Sequence, residues 1–175
     1  MLVNLTDVFT SSGSEISVDV PIEMGVFRCR YGEYPILEKS QAHFVFERCG
    51  KERARVSGKA KVTLEMQCDR CLKQVPREIS LDFEREVSPE PEEGGGISEE
   101  DDLGLMEGYS LNTEALIYNE ILLNQPEKVL CRPDCRGICM ICGKDLNDGE
   151  CGCDTFVPDP RMAAIQDIFN ANKEV

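Results

Sequence analysis

Residues 53–71 read RARVSGKAKVTLEMQCDRC, and they contain the two patterns that decide the fold. From residue 53 to residue 66 polar and apolar side chains alternate, which is typical of a β-strand with one buried face. The strand pattern is followed by Cys68 and Cys71, two thiols separated by two residues. Such a gap lets both sulfurs point into one turn, so this stretch predicts a long strand that ends in a metal-binding knuckle.

Further strands are predicted on both sides of this one. Residues 15–20 and 42–48 alternate with period 2, and residues 79–87 form another strand after the knuckle. In this last strand the side chains predicted to point inward are Ile79, Leu81, Phe83 and Val87, and those predicted to point outward are Asp82, Glu84 and Glu86. Gly58 is interpreted as a bend or bulge. Residues 1–87 are therefore expected to form an antiparallel, barrel-like sheet.

A second group of cysteines is packed into 23 residues: Cys131, Cys135, Cys139, Cys142, Cys151 and Cys153. Cys139, Cys142 and Gly143 predict a knuckle, because glycine takes the positive φ that such a turn needs. The single residue between Cys151 and Cys153 is less usual for two ligands of one ion. Four thiolates at these spacings are typical of a zinc site, with iron–sulfur ligation and disulfide exchange as alternatives.

The number of metal ions depends on Cys131 and Cys135. In one interpretation they join Cys68 and Cys71 in a second site, which would tie the β-half to the C-terminal block. In the other, Cys131 or Cys135 belongs to the C-terminal site, and the Cys68/Cys71 pair stays unmetallated. The expected cofactor is therefore one or two structural zinc ions.

Neither site is predicted to be catalytic. A hydrolytic zinc keeps an open coordination position and a general base nearby, whereas four-thiolate sites are closed. The chain contains one histidine, His43, which falls in a predicted strand, and no Ser/His/Asp set is recognised in the sequence. We therefore predict a protein that is not an enzyme.

A Cys-x-x-Cys pair can also be redox-active. Cys68 and Cys71 are flanked by Arg70 and Lys73, whose positive charges would lower the pKa of the thiols. The alternative function is therefore a zinc- or redox-responsive regulator that uses the Cys68/Cys71 pair.

The net charge of −14 is unevenly distributed along the chain. Residues 1–87 contain 13 Lys+Arg and 14 Asp+Glu, a net charge of −1, and residues 88–175 contain 6 and 19, a net charge of −13. An acidic half repels nucleic-acid phosphates and favours basic partners. Any contact with RNA is therefore expected in the first half.

The polar face of the long strand and of the turn before it is basic. Its members are Arg48, Lys51, Arg53, Arg55, Lys59 and Lys61. This basic stripe could follow the phosphates of RNA, or it could pair with the acidic side chains of the next strand. We favour the cross-strand pairing and retain the stripe as a candidate RNA- or partner-binding surface.

The second half is predicted to begin with a linker and a helix. Residues 88–110 are interpreted as an acidic flexible linker, because residues 88–108 contain eight acidic side chains, no basic ones and five glycines. A helix follows that is capped by Asn112 or Thr113 and ends before Pro126.

A second helix is predicted at the end of the chain. Asp159 and Pro160 suit its first positions, and its apolar stripe reaches about residue 171 and packs on the sheet. The fold class is thus α+β, in which residues 111–175 contain a helix, a zinc-ribbon-like block and this terminal helix.

Location is inferred from the reduced thiols and from the lack of targeting signals. No stretch approaches the roughly 20 apolar residues of a membrane span. The first residues have no basic region or long apolar run of the kind found in a signal peptide. We expect a cytoplasmic protein without a membrane partner.

Taken together, these motifs resemble the YceD family, the large ribosomal RNA subunit accumulation proteins. The matching features are Gly58-x-Ala60-x-Val62, Cys68-x-Arg70-Cys71, a helix ending near Pro126, Cys135-x-Gly137-Ile138-Cys139-x-x-Cys142-Gly143-x-x-Leu146-Asn147, Cys151-x-Cys153 and Asp159-Pro160-Arg161. The resemblance covers most of residues 50–170. It implies a non-enzymatic bacterial factor for accumulation of large-subunit ribosomal RNA, without a small-molecule substrate.

The charge map adds an expectation about partners. We expect the acidic half to dock a basic ribosomal protein, and the basic strand face to contact large-subunit rRNA precursor.

Overall fold

In a computed structural model of the protein, the long strand predicted from residue 53 forms one arm of an extended antiparallel hairpin. The structure describes residues 1–10, 15–50, 52–89 and 105–153. Its elements are β1 (Leu2–Asn4), α1 (Thr6–Thr10), β2 (Glu15–Val20), β3 (Val26–Cys29), β4 (Gly32–Lys39), β5 (Ala42–Arg48), β6 (Ala54–Gln67), β7 (Gln74–Val87), β8 (Met106–Glu107), β9 (Ser110–Asn112) and α2 (Thr113–Leu123).

The chain divides into two units. The first unit contains residues 1–67 and 74–129, and the second contains residues 68–73 together with, among the described residues, 130–153. Helix α2 groups with the sheet, and the Cys68–Lys73 loop groups with the C-terminal block.

A six-stranded antiparallel sheet forms the framework of the first unit. Strand β6 pairs with β7 over all 14 residues, and its other edge pairs with β5 and then with β4. Strands β2 and β3 continue the sheet beyond β5 and β4. These pairings confirm the predicted antiparallel sheet.

The barrel-like form is wrong, because the described strands leave the sheet open. The strand order is β2-β5-β6-β4-β3, and β7 pairs with β6 alone among the described strands. Strand β6 is long enough to hold β5 and β4 one after the other along the same edge. The sheet therefore grows wider around β6 instead of closing on itself.

The alternation along β6 is confirmed, since its even-numbered residues from Ala54 to Met66 are buried. The bulge expected at Gly58 is wrong, because pairing continues through this residue, opposite Phe44 on β5 and Phe83 on β7. A Cβ atom at residue 58 would lie 2.3 Å from the ring of Phe83. The glycine thus provides the space in which this ring packs.

Helix α2 closes the core of the first unit. The side chain of Asn112 caps it by accepting a hydrogen bond from the amide of Ala115 at 3.2 Å. Its residues Leu116, Ile117 and Ile121 are buried in the same apolar cluster as the sheet side chains. No helix in the described part of the chain is long and apolar enough to span a membrane.

Helix α2 also buries a carboxylate. Glu120 is 2% exposed. Its Oε1 atom lies 2.8 Å from Nε of Arg85 on β7, so the buried charge is paired.

The N-terminal strand pairs with the end of the predicted linker. Strand β1 pairs with β9, and β9 pairs with β8. Residues 106–110 therefore lie in a small hairpin and not in a loose loop. Residues 90–104 of the predicted linker and the predicted helix at 159–171 lie outside the described residues.

Candidate metal centres

Eight cysteines form two clusters, and both clusters belong to the second unit. The first tetrad consists of Cys68, Cys71, Cys131 and Cys135, and the second tetrad consists of Cys139, Cys142, Cys151 and Cys153. Within each tetrad all the sulfur atoms lie within 4.8 Å of one another. The structure thus places Cys131 and Cys135 with the Cys68/Cys71 pair and not with the C-terminal knuckle.

The distances between sulfur atoms in the first tetrad fit tetrahedral coordination of one shared ion. The Sγ atoms of Cys68 and Cys135 lie 3.8 Å apart, and those of Cys71 and Cys131 lie 3.5 Å apart. A disulfide bond would bring two sulfurs to about 2.05 Å. Four sulfurs at about 2.3 Å from a central ion would lie about 3.8 Å from each other. The donor set and its spacing therefore suit a thiolate-bound metal ion.

Cys68 and Cys71 are held by a tight backbone turn. The amide of Leu72 donates to the carbonyl of Cys68 at 2.9 Å, and the amide of Cys68 donates to the carbonyl of Lys73 at 2.8 Å. Leu72 is in the left-handed region with φ 60°. Because this conformation is unfavourable for a side chain with a Cβ atom, the turn is formed at a local cost.

Arg70 fastens this turn to the segment that contains Cys135. Its Nη1 donates to the carbonyl of Cys135 at 2.6 Å, and its own carbonyl accepts from the amide of Ile138 at 3.2 Å. Gly137, with φ 79°, lies so close that a Cβ atom there would be 3.0 Å from the carbonyl oxygen of Arg70. Glycine is therefore the residue that this approach allows.

Two glycines shape the second tetrad. The amide of Gly143 donates to the carbonyl of Cys139 at 2.8 Å, which closes the predicted knuckle, and Gly143 has φ 72°. Gly152 also has φ 72° and turns the chain between Cys151 and Cys153. This left-handed turn explains how two cysteines one residue apart both join the same cluster.

Asn147 connects the polar groups around the first tetrad, a role that the sequence did not predict. Its Nδ2 donates to Sγ of Cys135 at 3.4 Å, and its Oδ1 accepts from the amide of Arg136 and from Nη2 of Arg132, both at 2.8 Å. The sequence indicated only a tight turn at residues 147–149. Asparagine is common in tight turns for reasons of backbone conformation alone. Its presence there gave no reason to expect hydrogen bonds from its side chain to Cys135, Arg136 and Arg132.

An ion pair lies beside the first tetrad. Nζ of Lys73 is 2.7 Å from Oδ2 of Asp145, and the pairing raises the pKa of Lys73 and lowers the pKa of Asp145. Oδ1 of Asp145 accepts from the amide and the side chain of Asn147 at 2.8 and 2.6 Å. The carboxylate therefore joins the knuckle loop to the C-terminal block.

Thiols within each tetrad have opposed pKa shifts. Burial raises the pKa of Cys68, but backbone amides of Cys71 and Arg70 donate to its sulfur, and the net result is a pKa lowered to about 6. Burial and a proton shared with Cys135 raise the pKa of Cys131 to about 12. In the second tetrad, amides of Cys142 and Ile141 lower the pKa of Cys139 to about 6. Crowded thiolates repel each other, and a divalent cation would relieve that repulsion.

The two tetrads differ in exposure. Cys68, Cys71 and Cys135 are 0%, 6% and 1% exposed, whereas in the second tetrad only Cys139, at 2%, is buried. Cys142 is exposed. The burial of Cys68 and Cys71 argues against the redox alternative, because a reactive thiol needs access to its oxidant.

The basic stripe is paired with the acidic face of β7. Four contacts join the strands: Arg53–Glu86 at 3.8 Å, Arg55–Glu84 at 3.2 Å, Lys59–Asp82 at 3.3 Å and Lys61–Glu78 at 3.1 Å. Nε of Arg48 donates to the carbonyl of Gly50 at 2.9 Å. Lys51 lies outside the described residues. The structure therefore presents this face as alternating charges and not as a uniformly basic surface.

One polar arrangement corrects the sequence analysis, which recognised no Ser/His/Asp set. Nδ1 of His43 lies 2.7 Å from Oδ1 of Asp19, and its Nε2 lies 3.4 Å from Oγ of Ser17. The three residues come together because β2 and β5 are neighbours. The His43 and Asp19 side chains are 50% and 61% exposed on a strand face, whereas hydrolytic triads work in sites with preorganised oxyanion donors. We interpret the arrangement as a cross-strand hydrogen-bonded pair on an exposed strand face.

Comparison with known proteins identifies a family and several relatives. The family model described as "Large ribosomal RNA subunit accumulation protein YceD" matches residues 56–169, a range that includes both tetrads. An uncharacterised protein of Mycobacterium tuberculosis H37Rv is 26% identical over 123 residues, which make up 70% of this chain and 59% of the relative. A protein of Mycobacterium bovis has the same identity and coverage.

A plant relative has a functional name. The chloroplastic "Large ribosomal RNA subunit accumulation protein YCED homolog 1" of Zea mays is 27% identical over 133 residues, covering 58% of this chain and 44% of the relative. This chain thus spans 59% of the length of its mycobacterial relatives and less of the plant one. No solved structure matches it.

Proposed function

We propose, from the premise that this chain belongs to the YceD family, that it is a non-enzymatic factor for the accumulation of large-subunit ribosomal RNA. The observation that carries the proposal is the match of the family model over residues 56–169. The name of the maize relative agrees with it. The tetrads support a non-enzymatic role, since four-thiolate sites leave no coordination position for a substrate.

Both tetrads are proposed to bind zinc as a structural ion. Four thiolates with sulfur distances of 3.5 and 3.8 Å in the first tetrad suit the tetrahedral geometry of this ion. Zinc would supply a charge that offsets thiolate repulsion in both tetrads, and in the first tetrad it would also hold two distant stretches of chain together. Such sites contribute roughly 10–16 kcal/mol of apparent binding free energy to folding.

The partner is proposed to be a basic ribosomal protein, large-subunit rRNA precursor, or both. The net charge of −13 in residues 88–175 supports a basic protein as the partner of that half. The pairing of the basic stripe with β7 means that this face is a weaker candidate for RNA than the sequence suggested. We place the protein in the cytoplasm, where thiols stay reduced and available for zinc.

Depletion of the protein in growing cells tests the role directly. The expected result is a fall in the ratio of large- to small-subunit rRNA, restored by the wild-type gene and not by a variant that lacks Cys139 and Cys142. A Cys29→Ser variant is the matched control, because Cys29 belongs to neither tetrad. An unchanged rRNA ratio after depletion would exclude the proposed role.

Affinity purification with and without ribonuclease separates the two kinds of partner. A basic ribosomal protein that stays bound after ribonuclease treatment indicates protein docking. Loss of all ribosomal material after the same treatment indicates that RNA carries the association.

A further inference from the structure

The turn that joins β3 to β4 carries Arg30 and Tyr31 at its tip. Cys29 and Gly32 are the last paired residues of this hairpin, so the turn itself has two residues. Gly32, with φ 152°, takes the positive φ in this region, whereas Arg30 and Tyr31 have negative φ. Because many side chains fit such positions, the backbone of the turn does not account for an arginine and a tyrosine there.

The ring of Tyr31 is isolated from the other aromatic rings. Tyr31 is 67% exposed. Every other aromatic ring in the described part of the chain packs against at least one more ring. Even Tyr109, the other exposed tyrosine, lies 5.7 Å from the ring of Phe9. Tyr31 therefore contributes little to the core, and its ring is an aromatic surface that a ligand can reach.

Arg30 adds a positive charge to this ring. Its Cζ atom lies 4.8 Å from the centroid of the Tyr31 ring, which is within the range of a cation–π contact. No carboxylate of the described residues pairs with Arg30, whereas Arg28, two residues earlier, pairs with Glu33 at 3.1 Å. The guanidinium of Arg30 thus keeps its charge and its N–H donors for an anionic ligand.

The hairpin below this tip is held by the core of the first unit. Phe27 is fully buried, and its ring lies 5.1 Å from that of Tyr118 and 6.3 Å from that of Tyr34. The hydroxyl of Tyr118 donates to the carbonyl of Arg28 at 2.8 Å. The tip therefore projects from a fixed base, which lowers the entropy lost when a ligand binds.

We propose that Arg30 and Tyr31 bind single-stranded RNA, with an unpaired base stacked on the ring of Tyr31 and Arg30 donating to a phosphate. Proteins hold unpaired bases with such combinations of aromatic rings and cations. An acidic peptide would pair with Arg30 but would leave the ring unused, so RNA fits both groups. This inference rests on the proposed function, and it adds a contact outside residues 56–169, the range that the family model matches.

The test measures the RNA affinity of the full chain. A fluorescein-labelled oligouridine is titrated by fluorescence anisotropy over a series of KCl concentrations. Tyr31→Ala is expected to weaken binding by roughly fivefold to hundredfold, the range for loss of one stacked base. Tyr31→Phe keeps the ring and should bind like the wild type. Arg30→Ala should weaken binding and lower the salt dependence by about one phosphate contact. Circular dichroism reports whether each variant is folded.

Two matched controls come from the same unit. Leu37→Ala removes an exposed apolar side chain from β4 of the same hairpin. Lys128→Ala removes one positive charge from an exposed residue after α2. Weaker binding by Tyr31→Ala and Arg30→Ala, with Tyr31→Phe and both controls unchanged, supports the proposal. Unchanged binding by Tyr31→Ala overturns it, and so does equal weakening by either control or by Tyr31→Phe.

Double-stranded RNA gives a further comparison, because its bases are already paired and stacked. Annealing the oligouridine to oligoadenosine should abolish the effect of Tyr31→Ala, and an equal loss of affinity for the duplex would overturn stacking. Tighter binding of polyglutamate than of RNA would overturn the inference in favour of an acidic protein ligand. No RNA binding by the wild-type chain would overturn it as well. The rRNA ratio after depletion is measured independently, so the proposed function can still hold when this inference fails.

Discussion

Leu72 and Gly143 occupy the same position in the two knuckles and have the same left-handed backbone, with φ of 60° and 72°. Each follows the second cysteine of a Cys-x-x-Cys pair, and each donates its amide to the carbonyl of a cysteine, Cys68 or Cys139. Glycine adopts this conformation without strain, whereas leucine does not. The side chain of Leu72 is 56% exposed, so burial does little to compensate.

Leu72→Gly is therefore expected to stabilise the protein by about 1 kcal/mol, since relief of strain exceeds the entropy that glycine adds to the unfolded chain. Gly143→Leu is the matched change in the other knuckle and should destabilise by a similar or larger amount. Chemical unfolding of the zinc-loaded proteins measures both. A loss of stability in Leu72→Gly would show that the leucine side chain makes a favourable contact.

Zinc content tests whether each tetrad binds its own ion. Replacing Cys68 and Cys71 together with serine should lower bound zinc from two ions to one per chain, because the first tetrad loses half of its ligands. Mass spectrometry of the native protein or elemental analysis gives the number. Cys29→Ser should keep both ions. Two ions in the double variant would contradict the assignment of Cys68 and Cys71.

The difference in exposure between the tetrads predicts the order of metal loss. A chelator and an alkylating reagent should reach the second tetrad before the first, with Cys142 the first of the eight tetrad cysteines to be modified, because it is exposed. The first tetrad should follow more slowly, since Cys68 and Cys135 are 0% and 1% exposed. Alkylation followed by peptide mass spectrometry resolves the order. Earlier modification of Cys68 would contradict it.

Because Arg85 pairs with the buried carboxylate of Glu120, replacing Arg85 should destabilise the protein more than replacing a lysine of an exposed ion pair. Arg85→Ala leaves the buried Glu120 carboxylate unpaired, and the expected loss of stability is about 1–3 kcal/mol because Arg85 is partly exposed. Lys59→Ala breaks an exposed pair with Asp82 and should cost about 1 kcal/mol or less. Chemical unfolding measures the free energy of unfolding of both variants. Equal losses would show that burial of Glu120 adds nothing.

Much of the sheet could be predicted because its strands have a clear period. The alternation over residues 53–66 is long enough to specify both a strand and its buried face, and β2 and β5 begin and end as the sequence indicated. Strand β1 and its partner β9 have three residues each. Three residues show no period, and their pairing joins distant parts of the chain, so this sheet was not predicted.

The candidate metal centres, too, could be predicted only as far as local spacing determines them. Spacing within each Cys-x-x-Cys pair is local, and the sequence therefore identified both knuckles. Whether Cys131 joins Cys71 depends on a contact between residues 60 positions apart, which local spacing cannot determine. The ion pairs between β6 and β7 could be anticipated, because the charged side chains lie on two strands that follow one another in the chain.

Assembly of the first tetrad from two separate stretches has a consequence for protein synthesis. Cys68 leaves the ribosome 67 residues before Cys135, whereas the second tetrad is complete within residues 139–153. A nascent chain that has exposed only Cys68 and Cys71 offers two thiolates, which hold zinc much more weakly than four. If the first tetrad binds zinc as proposed, it can do so only in chains that have been translated past Cys135, and a truncated product would contain the Cys68–Lys73 loop without its metal ion.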